Sequence, residues 1–144
     1  GVFCGDSLDR RALGQLVFSD SQKRDELNAI LHPLILREIT RQLDAFDAPE
    51  RLVIGDIPLL YECGMQTLFD AVWVVSVPRE TQIQRLAQRD GLDRTQAERR
   101  IDAQMPLTQK EQLADAVIHT DGTIEQTQRQ IDALLCRLAQ RRKP

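Results

Sequence analysis

At 144 residues and 42% hydrophobic, the chain has enough apolar material for one domain, or one core with a small appendage. Folding should bury roughly 70% of the surface its unfolded form exposes. A net charge of −3 argues against general binding to nucleic acid or to an anionic membrane.

The chain opens helical. Over residues 8–17, Leu8, Leu13, Leu16 and Val17 share one side, with Ser7 placed as N-cap. Ser19-x-x-Gln22 reads as a capping box opening a second helix, whose apolar stripe is Leu27, Ile30 and Leu31. Pro33 lacks an N–H and clashes with the preceding turn, so it is expected to break or kink that helix. A third helix is expected over residues 34–46, with Leu34, Ile35, Ile39 and Leu43 on one face.

From Arg51 to Ile57 the character changes. Leu52-Val53-Ile54 is a short continuous apolar run, the pattern of a strand buried on both faces, with Asp56 at its carboxyl end and Pro58 as its stop. Residues 71–77, Ala-Val-Trp-Val-Val-Ser-Val, read as a central parallel strand closed by Pro78. Helix 79–90 follows with Ile83, Leu86 and Ala87 inward, and Gly91 is its C-cap. Asp93-x-x-Gln96 caps the next helix, with Ala97, Ile101 and Met105 spaced by four and Pro106 as its end. Thr108-x-x-Glu111 starts another short helix, and Ala114 to Ile118 reads as a third strand. After the Asp121-Gly122 turn, Thr123 caps a final helix with Ile124, Ile131, Leu134, Leu135 and Leu138 inward. The tail from Arg141 to Pro144 is expected to fray.

Buried parallel strands alternating with helices imply an α/β fold with a doubly wound parallel sheet. Ligands of such sheets sit beyond the carboxyl ends of the strands, the edge expected to carry Asp56, Pro78 and the His119–Gly122 turn. Cys4, Cys63 and Cys136 are scattered, as are His32 and His119, so free thiols in a reducing compartment and no metal cluster are expected. There is no run of 18 apolar residues, and the first residues show neither half of a signal peptide. A start at Gly1 without Met reads as a start inside a longer protein, or as a processed one.

Several residues are candidates for chemistry. Asp56 at the end of an apolar strand is either a carboxylate that helps hold Mg²⁺ near a transferring phosphate, or a turn acid serving backbone amides before Pro58. Arg85 and Arg89 stand four apart, on one helix face, with Arg94, Arg99 and Arg100 beyond Gly91. They are either a solvated face or a lid that neutralises phosphate charge on closing. The cations are 16 Arg and 3 Lys. Arginine is the better bidentate phosphate ligand, although genome composition gives the same bias. The unperturbed pKa of histidine suits a general base, but His32 serves equally as a hydrogen-bonding residue at the Pro33 kink, and no catalytic role is assigned to it.

Four stretches, in order, carry a resemblance that spans nearly the whole chain. The first is Leu8-Asp9-Arg10-x-x-Leu13-Gly14 with Val17-Phe18 and then Leu27-Asn28-x-Ile30-Leu31-His32-Pro33. The second is Asp56-Ile57-Pro58-Leu59-Leu60-Tyr61-Glu62. The third is Gln82-x-x-Arg85-Leu86-x-x-Arg89-Asp90 followed by Arg100-Ile101-x-x-Gln104-Met105, and the fourth is Lys110-x-x-x-Ala114-Asp115-x-Val117-Ile118 running to Gly122. Together they resemble the dephospho-coenzyme A kinases, small kinases of the P-loop fold.

The resemblance implies transfer of the ATP γ-phosphoryl group to the ribose 3′-hydroxyl of dephospho-coenzyme A, with Mg²⁺, in the bacterial cytosol, by a monomer that needs neither nucleic acid nor membrane. It implies a coenzyme A-binding helical region over 1–50, core sheet over 51–81, a helical lid over 82–112, and a core strand with the last helix over 113–144. Asp56 and Arg89 would be catalytic. Arg85, Arg89, Thr120, Asp121 and Gly122 would bind the nucleotide, and His32, Leu59, Glu62 and Gln104 the substrate. Thr120 stands where the family usually has Asn, which changes the side-chain contact implied there and leaves backbone contacts to adenine as the implied ones.

The family's G-x-x-x-x-G-K-[ST] phosphate cradle does not occur in these residues. The expectation is that its strand, loop and helix precede them, the first strand lying between strands 52–56 and 71–77. Without it two strand edges lack partners, so the chain alone is expected to be poorly stable or to self-associate. The competing readings are a chain that only binds coenzyme A-like ligands, and a kinase of another small metabolite.

Overall fold

The computed structural model describes residues 2–46 and 52–141. They fall into two compact units, Gly1–Leu68 and Phe69–Pro144.

The first unit begins with an antiparallel hairpin of β1 (Phe3–Cys4) and β2 (Ser7–Leu8), turned at Gly5 with φ of 61°. Helix α1 (Arg10–Ser19) starts at Asp9, whose carboxylate accepts from the amides of Arg11 and Ala12 at 3.0 Å each. Ser7, the expected cap, lies in β2 instead. A carboxylate two residues on is the stronger cap, because it adds negative charge at the positive end of the helix. Asp20, not Ser19, caps α2 (Ser21–Asp44) in the same way, through the amides of Gln22 and Lys23. Ser19 ends α1, with its hydroxyl turned back onto the Gln15 and Leu16 carbonyls.

Of the break or kink expected at Pro33, the break does not occur, and the expected second and third helices form one helix α2 of 24 residues. Proline removes one backbone bond and crowds one carbonyl, and a helix this long keeps its ladder on either side. No residue of α2 is buried, and Ile30, Leu31, Leu34 and Ile35 of the expected stripes are exposed.

The expected strand at 52–56 is the largest correction. Residues 52–57 have no regular structure, and Leu52, Val53 and Ile54 are exposed, Ile54 by 76%. A strand exists only beside a partner, and neither described sheet includes these residues. Arg51 lies outside the described residues. Successive turns then run from Ile57 to a short 3-10 segment at Gln66–Leu68 and enclose Leu60 and Met65, the latter only 1% exposed.

The second unit holds a parallel pair, β3 (Trp73–Ser76) with β4 (Ala116–His119), in the register Trp73↔Ala116 to Ser76↔His119. Asp115 sets that register. Its amide donates to the Val72 carbonyl at 2.9 Å, and its carboxylate accepts from the Val72 amide at 2.7 Å. Val74 and Ser76 are buried, but Val75 between them is 62% exposed. The strand expected to be covered on both faces thus has one open face, and no strand pairs its other edge among the described residues.

Helix α3 (Arg79–Asp90) begins after Pro78, buries Ile83 and ends at Gly91 with φ of 64°, as its sequence indicates. Helix α4 (Arg94–Asp102) has the reciprocal Asp93–Gln96 box and a fully buried Ala97. It stops at Ala103, short of Met105. Helix α5 (Leu107–Leu113) starts after Pro106, so Thr108 is inside it and does not cap it. Helix α6 (Ile124–Arg141) begins with Ile124 exposed by 84%, ahead of the inward stripe from Ile131. The tail beyond Arg141 lies outside the described residues. Among the described residues no helix is long and apolar enough to cross a membrane.

Candidate active site

Both parallel strands of the second unit end on one edge, and several predicted residues meet there. The Thr120 amide donates to the Ser76 carbonyl at 2.8 Å, which extends the ladder one residue past β4. The Thr120 hydroxyl donates to the same carbonyl at 3.3 Å. Arg85, from α3, donates through Nη2 to the Thr120 carbonyl at 2.7 Å. Arg85 and Thr120, both predicted to face nucleotide, are therefore in contact. The nearby Gln82 amide donates to the Val77 carbonyl at 2.9 Å.

Asp121 and Gly122 are exposed in the turn that follows. A Cβ on Gly122 would collide with the Gln126 amide. That amide oxygen accepts from the Thr123 amide at 2.8 Å, while Thr123 Oγ1 accepts from the Gln126 amide at 3.3 Å. Thr123 is thus the cap its position indicates, in a reciprocal box with Gln126. Beneath the edge, Glu111 of α5 accepts the hydroxyl proton of buried Ser76.

Arg79 and Arg89 of α3 and Arg94 and Arg100 of α4 are engaged with carboxylates. Arg89 donates to Asp90 at 2.8 and 3.2 Å, and Arg100 donates to the same carboxylate at 2.6 Å. The hydrogen bond from Arg89 is the main reason the Asp90 carboxyl lies below the usual carboxylate range. Arg94 grips Glu80 through two bonds of 2.8 Å and reaches Glu98 at 2.8 Å, and Arg79 pairs with Asp102 at 2.8 Å. Arg94 lowers the Glu80 pKa and has its own raised in return. These pairs tie α3 to α4 and leave Arg89 73% exposed at the rim. Gln104 is exposed just past α4.

The remaining predicted residues belong to the first unit. Asp56 is exposed in irregular backbone, and Leu59 and Glu62 are half-buried in the turns that follow. His32 lies on α2 just before Pro33. Its Nε2 is shielded from solvent and has no hydrogen-bond partner. The Tyr61 hydroxyl and Glu62 Oε2 are also shielded from solvent. An unpartnered imidazole nitrogen out of water is costly and calls for a cause such as a ligand. Burial, then the adjacent Glu62 carboxylate, pushes the Cys63 thiol up, so it is no activated nucleophile.

Sequence reasoning missed Asp90 as the partner of two arginines, Glu111 under Ser76, and Gln130, whose amide meets the His119 backbone. The Thr123–Gln126 spacing was readable as a cap. Nothing local marks Gln130 or Glu111, because their partners lie 11 and 35 residues away.

A parallel strand pair with a tight turn at its carboxyl edge and an arginine-bearing helical pair beside it is an α/β arrangement, and in such sheets ligands sit at that edge. The dephospho-CoA kinase family model matches residues 3–126. The dephospho-CoA kinase of Shouchella clausii is 46% identical over 89% of this chain and 66% of its own length. The crystal structure of TT1252 from Thermus thermophilus superposes with a TM-score of 0.73 at 37% identity, over 94% of this chain and 70% of that one. The dephospho-CoA kinase from Campylobacter jejuni shares the fold, with a TM-score of 0.64 at 24% identity over 99% of this chain and 72% of that one. The chain belongs to the dephospho-CoA kinase family. It spans between 54% and 66% of the length of the first curated relatives it matches.

Proposed function

We propose that this protein transfers the γ-phosphoryl group of ATP to the ribose 3′-hydroxyl of dephospho-coenzyme A, the last step of coenzyme A synthesis, in the bacterial cytosol. The family match over residues 3–126 carries the reading. The geometry supports a division of roles. The turn at Thr120, Asp121 and Gly122 faces the nucleotide, with backbone groups available to adenine. Residues 82–112 form the lid, and the Arg94–Glu80 and Arg79–Asp102 pairs tie its helix α4 to α3.

Arg89 is the phosphate ligand in this reading. Its fork already holds the two oxygens of Asp90, and a phosphate offers the same bidentate geometry with more charge. Exchange of Asp90 for phosphate would place the guanidinium where negative charge is redistributed during transfer. Arg85, engaged with Thr120, acts on the nucleotide through the turn.

In the first unit, the coenzyme A-binding region over 1–50 and the turns after Asp56 take the substrate. The shielded, unpartnered Nε2 of His32 supports this most directly, with Leu59 and Glu62 as further contacts. For Gln104, in the second unit, a substrate role rests on the family resemblance alone. Residues 47–51, which join these helices to the expected sheet, lie outside the described residues.

Mg²⁺ takes one or two carboxylates, phosphate oxygens and several waters. Exposed Asp56 is the carboxylate we propose for such an ion. When bound, such an ion would supply neutralisation of negative charge on the transferring phosphates. We further propose that the sheet is doubly wound in the native protein, with a further strand beside β3 and a layer over exposed Val75.

The test is a product assay on the native full-length protein. With Mg²⁺ and ATP it should convert dephospho-coenzyme A to coenzyme A and leave adenosine and AMP unphosphorylated. Turnover of those acceptors at the rate of dephospho-coenzyme A would overturn the substrate assignment.

A further inference from the structure

At the last residue of β4, the side chain of Gln130 takes the place of a strand. From α6, its Oε1 accepts from the His119 amide at 2.9 Å, and its Nε2 donates to the His119 carbonyl at 2.8 Å. A neighbouring strand makes the same pair of bonds in a ladder. The amide thus closes the outer edge of β4 at the point where the chain turns into Thr120, Asp121 and Gly122. Nε2 also lies 3.4 Å from the Gln126 carbonyl, one turn back on α6, which fixes the side chain's rotamer. Thr127 Oγ1 approaches the same His119 carbonyl at 3.5 Å.

On the other side the turn is held by the Ser76 carbonyl and by Arg85. From α6 the other holds are the longer Thr127 bond to the His119 carbonyl and the Thr123 cap. A loop that binds a ligand through backbone groups must keep those groups at fixed angles, because a shift of a few tenths of an ångström weakens each bond.

We propose that Gln130 is a positioning residue for nucleotide binding: by gripping both backbone groups of His119 it sets the direction in which the Thr120–Gly122 backbone meets ATP. This rests on the reading that this turn faces the nucleotide. Gln130 does not touch the reacting atoms, so its loss should affect ATP affinity and spare both the coenzyme A side and the chemical step.

Three substitutions separate this from simple packing. Gln130→Ala removes both bonds. Gln130→Glu keeps shape and volume but sets a carboxylate against the His119 carbonyl. Gln130→Asn keeps the amide one methylene short of its partners. In the native full-length protein each should raise KM for ATP, about tenfold for Gln130→Ala on the loss of two ordinary hydrogen bonds. KM for dephospho-coenzyme A and kcat should change less than twofold, and circular dichroism should confirm folded protein.

Amide chemical shifts of Thr120, Asp121 and Gly122, read on adding ATP to the unsubstituted protein, test the underlying reading separately. Shifts there, with a raised KM for ATP in all three variants, support the proposal. Shifts there with an unchanged KM for ATP, with Gln130→Glu behaving as the parent, or with kcat falling in step, overturn the role of Gln130 and leave the nucleotide turn standing. No shifts there overturn both.

Discussion

Arg89 and Asp90 show how a single carboxylate orders the arginines proposed to meet phosphate. The carboxylate holds two guanidiniums at once, from Arg89 and Arg100, so the positive charge is placed before any phosphate arrives. If Arg89 then passes to phosphate, its charge acts mainly on the transferring group. Arg89→Ala is expected to lower kcat by about 10²–10³, the usual effect of removing one preorganised donor, with KM for dephospho-coenzyme A nearly unchanged. Steady-state kinetics on the native protein check this, and an unchanged kcat would remove Arg89 from the site. On α2, Arg41 and then Gln42 hydrogen-bond Glu38 and hold its carboxyl down to about 2. A depressed folded-state pKa means that the contribution to α2 is present above the ordinary value of 4.5 and is lost as pH falls toward 2. The pair is fully exposed, so the effect on stability is small and screened by salt. A side-chain NMR titration should place the Glu38 midpoint well below 4.5 in low salt, and a midpoint at 4.5 would show that the pair does not hold.

Among the elements, those with local causes follow the sequence closely. Helix α3 has its predicted bounds because Pro78 opens it and Gly91 closes it. At Gly91 the backbone has φ of 64°, while an added Cβ would meet nothing within 4 Å. Gly91→Ala therefore carries only backbone strain and should cost about 1–2 kcal/mol, read as a lower denaturation midpoint with an unchanged slope. Ser76→Ala strips the buried hydroxyl from Glu111 and should destabilise β3 against α5 by about 1–3 kcal/mol in the same measurement. Elements with distant causes were harder to read. The run Leu52-Val53-Ile54 has strand composition, but composition does not supply a neighbour, and in this chain the segment is irregular and exposed. Capping was legible in kind but off by one or two residues, since Ser7 and Ser19 compete with Asp9 and Asp20 close by. At the candidate site, the strand ends and the arginine spacing were visible. The contacts of Gln130 and Glu111 were not, because each depends on tertiary placement.

On the scale of the whole molecule, the described residues leave an unpaired edge and an open face on β3, and an α2 without a buried side chain. Unpaired strand edges and exposed apolar side chains favour association. The isolated 144-residue chain is expected to melt with a midpoint that rises with its concentration, whereas a cooperative melt independent of concentration would show a self-sufficient monomer. The central claim is chemical, and it is tested most directly by locating the transferred phosphate. The measurement is phosphorus NMR of the product made by the native protein from ATP and dephospho-coenzyme A. The account predicts a new phosphomonoester coupled to the ribose 3′ proton. A phosphate coupled to any other position, or no new phosphomonoester while ATP is consumed, would contradict it.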